Sequence, residues 1–290
     1  MIDQVRPFAG FDYVQNGIPA FDVNPGRLGA TWVNLLTGEI FICVQANTDD
    51  NIWVGQFKSF AGKDSYWASV ALLLHFNGTP GSTQFLDSSE NRHVVTSYGN
   101  AVLGNADSKF GGMSGQFDGS GDYLTIPSDP IFEFGSGDFT IEGWINSVSP
   151  TAALDDFIVC NNYPSWYSYS WALSRSIGNG GRLSFYAYGV GLEDSSSLPA
   201  GWSHVAVTRE GSNFKLFKNG VIVATATSSA SITDGTTNGI VVGTSLDGTG
   251  VSFNGNMDDL RITKGVARYT ANFAVPTETF ASPDLYIPNW

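Results

Sequence analysis

No stretch of this chain carries the 3.6-residue apolar period of a long amphipathic helix. Its apolar residues come instead in short runs set between turn signals. The clearest unit is Phe214 to Lys218, then Asn219-Gly220, then Val221 to Thr225. Asn-Gly supplies the two positive φ angles that a type I′ turn requires, so a two-residue hairpin is predicted there. Comparable runs recur at 70–76, 122–126, 139–145, 157–160, 171–175, 182–188, 202–209, 239–242 and 257–262. Within 139–145, Phe139, Ile141 and Ile145 alternate with Thr140 and Glu142, the period of a half-buried strand. The series predicts an all-β chain folded as a two-sheet antiparallel sandwich. Composition agrees: 34 glycines and 13% aromatic residues suit tight turns and short strands, and 42% hydrophobic residues suffice for a core.

The runs divide the chain. Residues 1–29, rich in Pro, Gly and Asn with Phe8, Phe11, Tyr13 and Phe21 scattered among them, read as an extended attachment arm. Between 30 and 60, three short strands separated by turns at Thr37-Gly38 and 49–51 make a small β-meander. So few short strands are marginal in water, so this module is expected to lean on a neighbouring domain, a symmetry mate or a particle surface. A linker around 59–63 leads to the sandwich, expected over 67–281, and 282–290 form a C-terminal tail.

A net charge of −13 speaks against nucleic acid as a partner, since phosphate binding needs clustered Lys and Arg. Acidity keeps a protein soluble and leaves carboxylates available for Ca²⁺. Cys43 and Cys160 each sit in an apolar run and read as buried free thiols, with a disulfide between the two modules as the open alternative. The N-terminus has no signal-peptide pattern, and the longest apolar run, 70–74, is too short to span a bilayer. Synthesis in a reducing host cytoplasm without membrane insertion is expected.

Several strings carry a resemblance. VALLLHFNG at 70–78 with FLDSS at 85–89 resembles the opening of laminin-G-like, concanavalin A-like domains. KFGG at 109–112, FDGSGDYL at 117–124 and GDFTIEGW at 137–144 are similar to the same family, in the expected order. So are WSHVAVTR at 202–209, LFKNG at 216–220 and NGNMDDLRI at 254–262. Together they cover about 68–280. The segment ITKGVARYTANF at 262–273, followed by Pro276, is similar to the ends of such domains in bacteriophage tail and virion proteins. The small module at 30–56 looks like β-units of phage structural chains.

The resemblance implies a virion-surface component, on tail or capsid and commonly a homotrimer. It would dock to other virion proteins through its N-terminal arm and bind a host-surface glycan through the sandwich. About sixty residues precede the sandwich, so a short tail fibre or tip adhesin is expected rather than a long fibre. A capsid decoration protein (head fibre or cement) is the alternative. In related sandwiches a structural Ca²⁺ is held by a strand Asp and backbone carbonyls, and Asp258 matches that position, with Asp118 as a neighbour and Asp87 as a third candidate. Period-two alternation also puts Asp258 on the face of Leu260 and Ile262, where a carboxylate needs a partner. The alternative is that these carboxylates cap turns by accepting backbone N–H bonds.

The segment 161–171 interleaves five aromatic residues with Ser and Asn, the makeup of a sugar platform. Tyr163, Trp166 and Tyr167 are the candidate ligand-binding residues, and packing into the sandwich or a subunit interface is the competing use. A hydrolase of the same fold is the second alternative. Retaining glycosidases need two carboxyl groups roughly 5 Å apart, hence acids at alternate strand positions. The Glu-x-Asp-x-Glu strand motif of such enzymes is missing, and Glu142 stands alone in its run. Asp155-Asp156 and Glu193-Asp194 are adjacent pairs that diverge on a strand. His75, His93 and His204 are dispersed, with His75 and His204 read as packing residues, and no zinc spacing or nucleophile elbow occurs. The expected role is binding without catalysis.

Overall fold

The hairpin at 219–220 forms as its residues dictate. Asn219 and Gly220 take φ values of 50° and 77°, and Lys218 pairs with Val221 across them. The computed structural model describes residues 64–148, 156–161, 171–176, 180–232, 239–245 and 252–281, with the backbone of four strands nearer the N-terminus. The chain divides into two compact units, Met1–Ser65 with Ala281–Trp290, and Tyr66–Phe280.

In the first unit, β1 (Tyr13–Gln15), β2 (Thr31–Asn34), β3 (Ile40–Gln45) and β4 (Ile52–Phe57) form a four-stranded sheet in that order. β2 to β4 are the expected antiparallel meander. β1, inside the stretch 1–29 expected to be an extended attachment arm, pairs in parallel with β2. A parallel pair has no tight turn joining its strands and so leaves no hairpin signature in sequence.

The second unit holds β5 (Val70–Leu74), β6 (Thr96–Tyr98), β7 (Val102–Gly104), β8 (Ser114–Asp118), β9 (Tyr123–Ile126), β10 (Phe139–Ser147), β11 (Asp156–Asn161) and β12 (Trp171–Ser176). It continues with β13 (Arg182–Ala187), β14 (Val190–Ser197), β15 (Ser203–Glu210), β16 (Asn213–Lys218), β17 (Val221–Thr227), β18 (Ile240–Val242) and β19 (Asn254–Lys264). Two single 3₁₀ turns, Trp67–Ser69 and Pro130–Phe132, are the helical structure among the described residues. No helix there is long and apolar enough to cross a membrane.

The strands make two antiparallel sheets. One runs β17-β16-β15-β10-β19-β8-β7, with β5 also on β19; the other runs β14-β13-β12-β11-β18-β9-β6. The two-sheet all-β expectation holds. Sequence pattern missed β6, β7, β8 and β14. The first three are three to five residues long, and β14 ends in exposed serines instead of alternating.

Between the sheets Phe139, Ile141 and Ile145 of β10 meet Leu173, Leu183 and Phe185 from the other sheet. Phe134 stacks on Phe139 with centroids 4.2 Å apart and on Trp171 at 5.5 Å. Burying each such ring stabilises the fold by roughly 1.5–3 kcal/mol. Thr140 and Glu142 alternate with these residues as expected, yet both are fully buried, so the second face of β10 is not a solvent face. The chain after β19 turns back over it. Thr140 Oγ1 donates to Val266 O at 2.8 Å, and Thr208 Oγ1 donates to Tyr269 O at 3.0 Å. Phe273 N donates to Gly220 O, and Ile222 N on edge strand β17 donates to Asn272 Oδ1 at 2.9 Å. Phe280 ends the strap in a cluster with Trp67, Val70 and Leu73.

Candidate functional site

Asp258 is where the structure departs furthest from simple alternation. Glu142 pairs with Arg261 and Trp144 with Asp258, so Asp259 and Leu260 together oppose the single residue Gly143. This is a β-bulge, and Asp259 adopts φ 46° within it. The extra residue inverts the parity of β19. Met257, Leu260 and Ile262 all join the core, whereas Asp258 lies on the opposite face beside Trp144. The expectation that Asp258 shares a face with Leu260 and Ile262 is thus corrected.

Asp258 Oδ2 accepts from the backbone N–H groups of Lys109 and Phe110, both at 2.9 Å. Burial raises its pKa to about 7, and Asp259 adds to the rise while the two N–H donors oppose it. Asp118 is exposed at the end of β8, with Oδ1 accepting from Ser120 N at 2.8 Å and Oδ2 from Asn100 Nδ2 at 3.1 Å. Asp118 pairs with Asn254, four residues before Asp258 on β19, or about 13 Å at strand rise. The fold does not bring these two aspartates together. Asp87 is buried and accepts from Leu73 N, Ser89 N and His93 N.

Tyr163, Trp166 and Tyr167 lie outside the described residues. Their segment leaves β11 at Asn161 and rejoins β12 at Trp171, neighbouring strands in the middle of the seven-stranded sheet. Trp171 itself is 1% exposed and stacked in the core, so for this aromatic the packing use holds. The pairings Trp171 to Ala187 and Ala187 to Val190 place the β13–β14 turn at the same end, and there Tyr188 is 52% exposed. On the outer face of this sheet Cys160, Ala172 and Val241 are buried, with Tyr123 and Phe157 packed against them. Cys160 is buried, its Sγ 3.6 Å from Thr244 O, and the side chain of Cys43 lies outside the described residues.

The most concentrated buried charge went unread in the sequence. Glu142 Oε1 accepts from Arg261 Nε at 3.0 Å and Nη2 at 2.7 Å. Its Oε2 accepts from Tyr269 Oη at 2.7 Å, and His204 Nε2 stands 3.3 Å away. The Arg261 guanidinium lies 3.7 Å from the Phe280 ring centroid. Burial acts to raise the Glu142 pKa, but Arg261, helped by His204 and Arg268, outweighs it and holds the carboxyl far below the usual carboxylate range. Burial, with Glu142 beside it, pushes the Tyr269 hydroxyl well above its usual value. Glu142 is a fixed anion, unsuited to lending and recovering a proton. The one sequence signal was an acid on a central strand with an arginine that proves to lie opposite, and only pairing register reveals that partnership.

Residues 118–268, more than half of the chain, match the family model described as the concanavalin A-like lectin/glucanases superfamily. The chain belongs to this superfamily. Among curated proteins, no sequence matches it. Solved structures of similar shape include the binding domain of Paraclostridial Mosquitocidal Protein 1, at 14% identity and TM-score 0.53, covering 70% of this chain and 51% of that one. The binding domain of botulinum neurotoxin serotype D/C VPI 5993 is similar at 18% identity and TM-score 0.53, covering 70% and 50%. Domain 4 of AbnA, a GH43 extracellular arabinanase from Geobacillus stearothermophilus solved in complex with arabinotriose, matches at 18% identity and TM-score 0.51, covering 68% and 93%. The chain spans about half the length of the two toxin binding domains. At these identities the likeness is one of fold.

A superfamily whose name spans lectins and glucanases leaves the chemistry to the side chains. The buried acids of the described sandwich have structural partners. Glu142 is bound by Arg261, Asp156 by Arg175, Asp194 by Lys218, and Asp122 accepts from Asn100 N and Asp118 N. Among the described residues no three His, Cys, Asp or Glu side chains converge as a metal ion would need, so a Ca²⁺ at Asp258 or Asp118 would need further oxygens from backbone carbonyls, amide side chains or water.

Proposed function

We propose that this chain is a non-catalytic virion surface protein of a bacteriophage, a short tail fibre or tip adhesin. Its sandwich contacts a host-surface glycan, and its N-terminal residues dock onto other particle proteins. The observation that carries the reading is the division of labour among side chains. Buried carboxylates hold the fold together, while partly or fully exposed rings (Tyr98, Tyr123, Phe157, Tyr186 and Tyr188) gather on and around the outer face of the seven-stranded sheet. The aromatic segment 161–171 joins two strands of that same sheet. Ring faces suit the CH surfaces of sugars, and neighbouring amides and hydroxyls suit their OH groups. The superfamily match supports a sugar-binding role. The likeness of 262–273 to the ends of phage virion domains supports the particle.

The test is a glycan array probed with the purified full chain in calcium-containing buffer, paired with electron microscopy of labelled protein on the particle. Selective glycan signal and a tail-tip location are expected. A blank array with label spread over the capsid would replace the adhesin with a decoration protein. Release of reducing ends from polysaccharide would replace binding with hydrolysis.

A further inference from the structure

The chain enters the sandwich at Tyr66 and leaves it at Phe280, and these are its two crossings to the first unit. Both ends of the strap reach the entrance. Near its start the Arg268 guanidinium lies 5.3 Å from the Tyr66 ring centroid. At its end Phe280 shares one buried apolar cluster with Trp67, Val70 and Leu73. The strap thus returns to the residues that begin β5.

The bulge in β19 holds it there. Asp259 takes φ 46°, left-handed backbone that a residue other than glycine keeps only where its surroundings fix it. Bulges re-aim side chains, and this one aims a carboxylate at the strap's end. Asp259, fully buried, accepts from Phe280 N at 2.6 Å and from Thr279 Oγ1 at 2.9 Å. Its Oδ1 also stands 2.5 Å from Nδ1 of His75, the residue after β5. One carboxylate therefore joins the strap to the strand that follows the entrance. Two residues on, Arg261 binds Glu142 and lies against the Phe280 ring, while Glu142 accepts from Tyr269 of the strap. Contacts run without a break from Trp67 through Phe280, Arg261 and Glu142 to Tyr269.

Buried charge makes this series cooperative. Lifting Phe280 uncovers the Arg261 guanidinium, and water reaching the ion pair weakens the bond that holds Tyr269. We infer that Trp67, Asp259, Arg261 and Phe280 form a clasp by which the strap and the entrance to the sandwich open and close as one unit. On the proposed attachment through the N-terminal residues, tension arriving at either crossing is shared with the other, instead of peeling β5 or the strap alone. The clasp itself does not depend on that reading, and its test involves neither glycan nor particle.

The experiment is hydrogen–deuterium exchange followed by mass spectrometry on the full chain, in the parent and in Phe280→Ala, Trp67→Ala and Thr279→Ala. Phe280→Ala is expected to speed exchange about tenfold in two segments together. These are 266–275, where Arg268 N and Phe273 N are hydrogen-bonded, and 67–74. The segment 182–187 of the other sheet should keep the parent's rate. Trp67→Ala should produce the same pair of changes from the other side. Thr279 is exposed, so Thr279→Ala leaves the fold intact; it removes one bond to Asp259 and should speed both segments by a smaller, shared factor. Faster exchange beside the mutated residue alone, with the other segment at the parent's rate, overturns the clasp and leaves two ends that fray independently. Unchanged exchange in all three variants overturns it as well. Should Phe280→Ala and Trp67→Ala loosen every segment, 182–187 included, Thr279→Ala decides: paired acceleration supports the clasp, and acceleration confined to 277–281 overturns it.

Discussion

Across the eight-stranded sheet the outward residues include Thr140, Glu142, His204, Thr208 and Arg261, which pack under the strap 266–280. Across the seven-stranded sheet the central outward residues are Cys160, Ala172 and Val241, small and uncharged, with tyrosines toward the rim. One sandwich thus has one face built from buried charge, which demands a matched cover, and one built from small side chains and rings, which makes no such demand. Buried ions are costly unless every partner is present, so the first face belongs to stability. The second is free to vary its rim for contact.

Mutations should separate the two faces. Glu142→Gln leaves Arg261 buried without its anion and should cost about 3–5 kcal/mol in denaturant unfolding, whereas Cys160→Ala should cost far less. Equal losses would erase the contrast. Tyr269→Phe removes one hydrogen bond from strap to carboxylate and is expected to cost about 1.5–3 kcal/mol.

Acid titration sharpens the comparison within the eight-stranded face. Glu142, held below its ordinary 4.5, contributes stability that is present above that value and lost as pH falls further. Asp258, raised from 3.8 to about 7, has the opposite sign: its contribution is greatest below pH 3.8 and falls away as pH rises toward 7. Asp258→Asn should therefore unfold later than the parent at pH 8, by at least about 1.4 kcal/mol, one pKa unit's equivalent, with no gain at pH 3. An unchanged pH profile would contradict burial as the cause. The smallest effect is expected on the other rim, where Tyr188→Ala should change stability by less than about 0.5 kcal/mol because the ring is half exposed.

Much of this was legible in the residues. Asn219-Gly220 announced its hairpin, and the alternation of Phe139, Ile141 and Ile145 announced the core face of β10. Both are local properties, set by φ preference and side-chain period. Asp118 was legible as a turn cap for the same reason. Asp258 was misread because one inserted residue, Asp259, inverts every later side chain on the strand, and a bulge depends on the register of the neighbour. β1 and β6 to β8 escaped because they are three to five residues long and none carries an unbroken apolar run such as Val70–Leu74 or Ile240–Val242.

By itself, then, the sequence determined the fold class, the hairpin at Asn219-Gly220 and the inward face of β10, since these follow from neighbours along the chain. Only the tertiary structure decided that Glu142 meets Arg261 and Tyr269, that the strap seals one face, and that Asn100 meets Asp118. Those contacts join residues some twenty to more than a hundred positions apart. Their chemistry comes into being when strand pairing sets them side by side.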